Sequence, residues 1–180
     1  AVHHRQDQRW AGQEAAALAW TTIRATHEGP GVGPEEEPRP EGDADELEAD
    51  WTKVKTGFGN QKGNYIDPAM GMHLTGGSNS VKNSYTQYRE LGARTKAMLL
   101  AAASKQLGVP PASLTVANGV ISGGGKSATY GELFDAAMKE PIPERVVLKD
   151  AKDFKLIGKP TGLKVSRAKS TGTQQYGVDV

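Results

Sequence analysis

Cysteine is absent from these 180 residues. That excludes a disulfide framework, a thiolate zinc site, cysteine-held iron–sulfur clusters and a cysteine nucleophile. Apolar residues make up only 37% and aromatics 6% of the chain. Nowhere do they gather into the run of about 20 apolar residues that a membrane helix needs. The first residues lack a basic-then-apolar pattern, so no export signal is expected in them. Lysine is missing from the first 50 residues, which carry 4 Arg and 12 acids, whereas residues 51–180 carry 18 basic and 9 acidic side chains. The net charge of +1 therefore hides an acidic beginning and a basic remainder.

That step in lysine usage divides the chain. Gln13–Arg24 is Ala-rich with Leu18, Trp20 and Ile23 as anchors and predicts a short helix. Pro30, Pro34, Pro38 and Pro40 then alternate with acids including Glu35, Glu36 and Glu37. Such a stretch buries too little apolar surface to offset chain entropy. Residues 1–43 are accordingly expected to be largely disordered, with 29–43 as a linker and a short acidic helix over 44–50. Trp51–Phe58 alternates apolar and polar residues and predicts a strand.

The strongest helix spans Ser80–Leu107, where Val81, Tyr85, Tyr88, Leu91, Thr95, Met98, Leu99 and Ala102 recur at spacings of three and four. Gly108 and Pro110 stop it. Asn118-Gly119 between Leu114–Ala117 and Val120–Ser122 predicts a hairpin. Thr129 and Glu132 have capping-box spacing ahead of a helix over Tyr130–Lys139, which Pro141 and Pro143 end. Residues 144–180 are expected to form an extended basic connector, with short strands at Val165 and over 176–180.

Several motifs are decoys. Gly119–Ser127, GVISGGGKS, imitates a phosphate-binding loop, but five residues rather than the required four separate its first glycine from the Gly-Lys pair. It is expected to be a flexible, lysine-tipped loop. His3, His4 and His27 lack a rigid frame for a metal, so no metal site is expected, and His73 is expected to be a hydrogen-bonding loop residue. Lys149, Lys152, Lys155, Lys159, Lys164 and Lys169 are scattered; they predict solvated surface or an inter-subunit contact, not a nucleic-acid interface.

The informative segment is Met70–Val81, MGMHLTGGSNSV, which runs into the long helix. Gly76 and Gly77 permit close backbone approach, and Ser78, Asn79 and Ser80 are good N-caps. A helix N-terminus carries unpaired N–H groups and a positive dipole end. The segment suits either an ordinary capped helix or a pocket for an oxyanion, and both readings stay open on physics alone.

An ordered set of blocks carries a resemblance. ADELEADWTKVK, GMHLTGGSNSV, SYTQYRELGARTKAMLLAAASKQLGVP, LTVANGVI, SATYGEL, KDFKLIGKP and AKSTGTQQYGVDV together resemble the molybdopterin-binding large subunit of the xanthine dehydrogenase and aldehyde oxidoreductase family. The isoquinoline 1-oxidoreductase β-subunit type resembles them most. The match covers about residues 44–180. It implies an α/β fold (α+β in detail): a partial molybdopterin-binding domain over 44–143, with a long helix, a hairpin and a short helix, then a connector over 144–180 leading into a truncated hammerhead-type domain.

The resemblance implies a piece of a molybdenum hydroxylase, an oxidoreductase acting on aldehydes or N-heterocycles with oxygen from water. It implies molybdopterin cytosine dinucleotide as cofactor, held at Thr75, Gly76, Gly77, Ser78, Asn79 and Ser80. An iron–sulfur small subunit is the implied partner, and intact relatives are periplasmic or membrane-associated. The family's earlier Gly-Gln-Gly loop and its later glutamate base have no counterpart here, so the chain alone is expected to be inactive and no catalytic residue is assigned. The competing expectation is a non-enzymatic interaction module with an acidic N-terminal part and a basic C-terminal part.

Overall fold

A computed structural model describes residues 41–54, 79–162 and 166–174. The expected helix over 13–24, residues 29–40 of the linker expected over 29–43, His3, His4, His27 and His73, and the strands at Val165 and 176–180 lie outside the described residues; the last three linker residues, 41–43, are helical instead. The rest is mixed α/β, as expected.

Helix α1 spans Glu41–Leu47, beginning and ending three residues before the expected 44–50. Glu41 in its first turn suits the positive end of the helix dipole. It stops because Glu48 turns left-handed (φ 55°), which lets the Ala49 N–H bond back to the Ala44 carbonyl at 3.0 Å. The strand expected over Trp51–Phe58 is replaced at Trp51–Lys53 by a 3-10 turn. Its cause is local: Asp50 caps the turn by accepting the Thr52 N–H at 3.0 Å, a competition with extended pairing that Asp side chains win.

Helix α2, Asn79–Leu107, has 29 residues and is roughly 43 Å long at 1.5 Å per residue. Its C-terminal half supplies Met98, Leu99, Ala102, Ala103 and Leu107 to the core. Towards its N-terminal end Tyr85 is 39% exposed. Gly108, at φ +71°, closes the helix, and the Lys126 ammonium donates to the Leu107 carbonyl at 3.2 Å.

Strands β1 (Thr115–Ala117), β2 (Val120–Gly123) and β3 (Lys126–Thr129) form one antiparallel meander. The first turn is the expected Asn118-Gly119, with φ 50° and 75°. The second corrects the sequence expectation: the GGGKS stretch is no flexible loop but a second hairpin, turning at Gly124 and Gly125 with φ 58° and 74°. Two successive positive φ values match the twist of a two-residue hairpin turn. Val116, Ile121 and Ala128 stand opposite one another and point to the core.

Helix α3, Tyr130–Ala137, opens with the expected capping box. The Glu132 N–H donates to Thr129 Oγ1 at 3.3 Å, and the Thr129 N–H to the Glu132 carboxylate at 2.7 Å. Leu133 and Ala137 complete the core with Leu47 of α1. Among its described residues the connector is irregular apart from a 3-10 turn at Ala151–Asp153 and helix α4, Ser166–Ser170, which the sequence pattern did not announce.

Candidate functional site

The charge step along the sequence is resolved by the fold. α1 lies against α2, and the connector returns across both. Three carboxylates, Asp45, Glu46 and Glu48, meet four cations: Arg89 and Lys96 of α2, and Lys149 and Lys155 of the connector.

Asp45 is 2% exposed. Its carboxylate accepts the backbone N–H groups of Lys155, Leu156 and Ile157 at 3.0–3.2 Å and the Lys149 ammonium at 3.1 Å. Burial pushes its pKa upward, but the three amides and Lys149 outweigh that and hold the carboxyl below its usual range. Glu48 behaves alike: burial raises it, while the Lys155 and Lys149 ammoniums and the nearby Lys96 bring it below the usual range. Lys96 is lowered, first by burial, with Glu48 opposing and Lys149 reinforcing the shift.

Glu46 takes the Arg89 Nε–H at 2.8 Å and the Lys149 backbone N–H at 3.2 Å. Arg89 also donates to the Lys149 carbonyl at 2.6 Å. Its guanidinium lies between the Tyr85 and Phe154 rings, 5.3 and 4.9 Å from their centroids, a cation–π arrangement suited to a planar cation. Glu48 and Leu47 also tie the end of α1 to the first hairpin turn and to α3. The Gly119 N–H donates to the Glu48 carbonyl at 2.9 Å, and the Tyr130 hydroxyl donates to the Leu47 carbonyl. Burial pushes the Tyr130 phenol up.

One carboxyl stands apart. Asp43 Oδ1 is buried without a hydrogen-bond partner, and burial raises its pKa from 3.8 to about 8. Asp43 is therefore a carboxylic acid at neutral pH.

Beside the cluster is a cavity of about 220 Å³, lined by Asp45, Glu48, Asp50, Trp51, Asn118 and Lys155 among others. A shallower hollow of about 540 Å³ lies on the outer face of the sheet, where Thr115, Ser122 and Ser127 stand in register beside Lys126. Among the described residues, no three His, Asp or Glu side chains are placed to hold a metal ion. No described helix is long and apolar enough to cross a membrane.

Of the six residues singled out in the sequence, Thr75, Gly76, Gly77 and Ser78 lie outside the described residues; Asn79 and Ser80 open α2. The charged cluster went unnoticed in the sequence because Lys149 and Lys155 look like scattered surface charge. The signal that pointed to it was the charge step itself, since an acidic beginning and a basic remainder are complementary.

No family model matches the chain. Over 147 residues, 76% of its length, the chain is 36% identical to a membrane-bound aldehyde dehydrogenase of Gluconacetobacter polyoxogenes, named for pyrroloquinoline quinone. The chain spans only 18% of that relative. The similarity supports a relationship to oxidoreductases, in the broad sense, and to an aldehyde dehydrogenase in particular. It overturns molybdopterin cytosine dinucleotide as the expected cofactor, because the relative is named for a quinone. That expectation rested on the family resemblance, and the residues of the segment do not choose between cofactors. Glycines, hydroxyls and a helix N-terminus favour anions in general, and nothing in that pattern distinguishes a pyrophosphate from a carboxylate.

Proposed function

We propose that this chain is a scaffolding segment of an aldehyde-oxidising oxidoreductase and is inactive by itself. The observation that carries the proposal is the 36% identity over 76% of the chain to an aldehyde dehydrogenase. The arrangement of the described residues supports it. Asp45, Glu46 and Glu48 are committed to ion pairs inside the chain and Asp50 to capping a turn. Residues 44–143 would form part of a larger domain, and 144–180 would lead the chain onward.

The relative's name brings pyrroloquinoline quinone into question for the intact enzyme. The described residues do not fit it. That quinone is a polyanion, and the one lysine lining the cavity beside α1, Lys155, is already paired with Glu48. In the shallow hollow the one ammonium, Lys126, is already bonded to the Leu107 carbonyl. The stretch Thr75, Gly76, Gly77, Ser78, with Asn79 and Ser80, is proposed instead as the place where an anionic group is held, on the donor pattern of its sequence.

The test is a chimaera. Residues 41–180 replace the matching segment of the Gluconacetobacter enzyme, and aldehyde oxidation is followed with an artificial electron acceptor. Activity within about tenfold of the parent, abolished by Gly77→Asp, is expected. A folded chimaera without activity overturns the assignment. For the interaction-module alternative, Asp45, Glu46 and Glu48 are paired inside the chain, while the acids of residues 1–40 lie outside the described residues.

A further inference from the structure

The connector segment 149–157 is attached in an unusual way. Its polar contacts with the rest of the molecule are concentrated on α1 and the residue that ends it, Glu48: three consecutive amides and the Lys149 ammonium on Asp45, the Lys149 N–H on Glu46, and the Lys149 and Lys155 ammoniums on Glu48. The additional hold is Arg89, through the Lys149 carbonyl and the Phe154 ring. The buried apolar cluster draws on α1, α2, the sheet and α3 and includes no residue of 149–157; Ile142 is the last connector residue packed against it. Val147, just before the segment, is 94% exposed.

From this division we infer that residues 149–157 are a charge-held strap, able to open as a unit while the core formed by α2, the sheet and α3 stays folded. Opening costs the ion pairs and hydrogen bonds and the partial burial of Phe154, Leu156 and Ile157, none of which belongs to the fully buried cluster, whereas opening the core costs that cluster itself. Local opening free energies track that difference. The cluster is also finely balanced. Three carboxylates face four cations, so neutralising one carboxylate leaves the ammoniums of Lys96, Lys149 and Lys155 repelling one another in a half-buried setting. Asp45 is the critical partner, since it alone collects the three amides. The strap precedes residues 158–174, so its opening changes where the following chain leaves the core.

Hydrogen–deuterium exchange on the full chain tests this, comparing amides 155–157 with core amides 99–103. In Asp45→Asn the strap amides should exchange at least tenfold faster, with the core amides unchanged. Lys152→Gln, which breaks the strap's exposed pair with Asp150, should change neither. Equal acceleration of strap and core, or no acceleration of the strap, overturns the inference. If Asp45→Asn does not fold, the wild-type chain is compared at about 0.05 and 1 M salt, where screening weakens ion pairs. Selective acceleration of the strap supports the inference, and a uniform response or none overturns it.

Discussion

Arg89 Nε donates to the Glu46 carboxylate at 2.8 Å, across 43 positions of sequence, with both groups buried. This contact joins α1 to the middle of α2 and places the guanidinium where Phe154 can stack on it. Removing one partner leaves the other as an uncompensated buried charge. Arg89→Met should therefore lower unfolding stability by about 3–5 kcal/mol, read from urea denaturation. The double variant Arg89→Met with Glu46→Leu should recover most of that loss, because no orphaned charge remains. A double variant no more stable than the single one refutes this account.

At Gly92 the backbones of α1 and α2 approach closely. A Cβ added there would lie 2.7 Å from the Asp43 carbonyl oxygen and 3.0 Å from its Cα. Neither atom belongs to a flexible side chain, so one helix must shift. Gly92→Ala should cost about 1–3 kcal/mol, despite the better helix propensity of alanine. Thermal unfolding would show it. A stabilised variant means that α1 does not sit where the structure has it.

Two kinds of carboxyl give the stability a distinctive pH dependence. Asp45 and Glu48 have depressed pKa values. Their contribution is present above the ordinary carboxylate values and is lost as the pH falls through the folded ones. Asp43 is raised to about 8, so the folded state holds a proton that the unfolded state has released. Its contribution is full below 3.8 and is lost as the pH rises towards 8. Stability should peak at about pH 4–5 and decline towards pH 8. In Asp43→Asn the decline should vanish, leaving the variant more stable than wild type at pH 8 and similar at pH 4. Denaturant midpoints across that range decide it; an unchanged slope removes Asp43 as its source.

The box at the start of α3 is a separate, smaller contribution. Thr129 Oγ1 accepts the Glu132 N–H, and Glu132 returns the bond to the Thr129 N–H. Thr129→Ala should cost about 1 kcal/mol, seen as a lower unfolding midpoint, while Thr129→Ser should be close to neutral. Equal losses in both variants would show that the methyl group, not the hydroxyl, matters at this position.

What the sequence alone determined is local. The three- and four-residue spacing of Thr95, Met98, Leu99 and Ala102 marks a helix face wherever that helix lies, and those four side chains are buried. Asn118-Gly119 turns because its two residues tolerate positive φ, and Thr129 with Glu132 caps because they are three apart. The second hairpin was within reach of the same logic: Gly124-Gly125 is an equally good turn, hidden by its likeness to a phosphate loop. Tertiary structure decided the rest. Lys149 meets Asp45 across 104 positions, and no spacing rule extends that far. Trp51 alternates with its neighbours like a strand residue, yet the Asp50 carboxylate and the adjoining α1 hold it in a turn. Short-range periodicity records which face of an element is apolar. Ion pairing in a half-buried cluster depends on which charges the folded backbone brings within about 4 Å, and that is a property of the assembled structure.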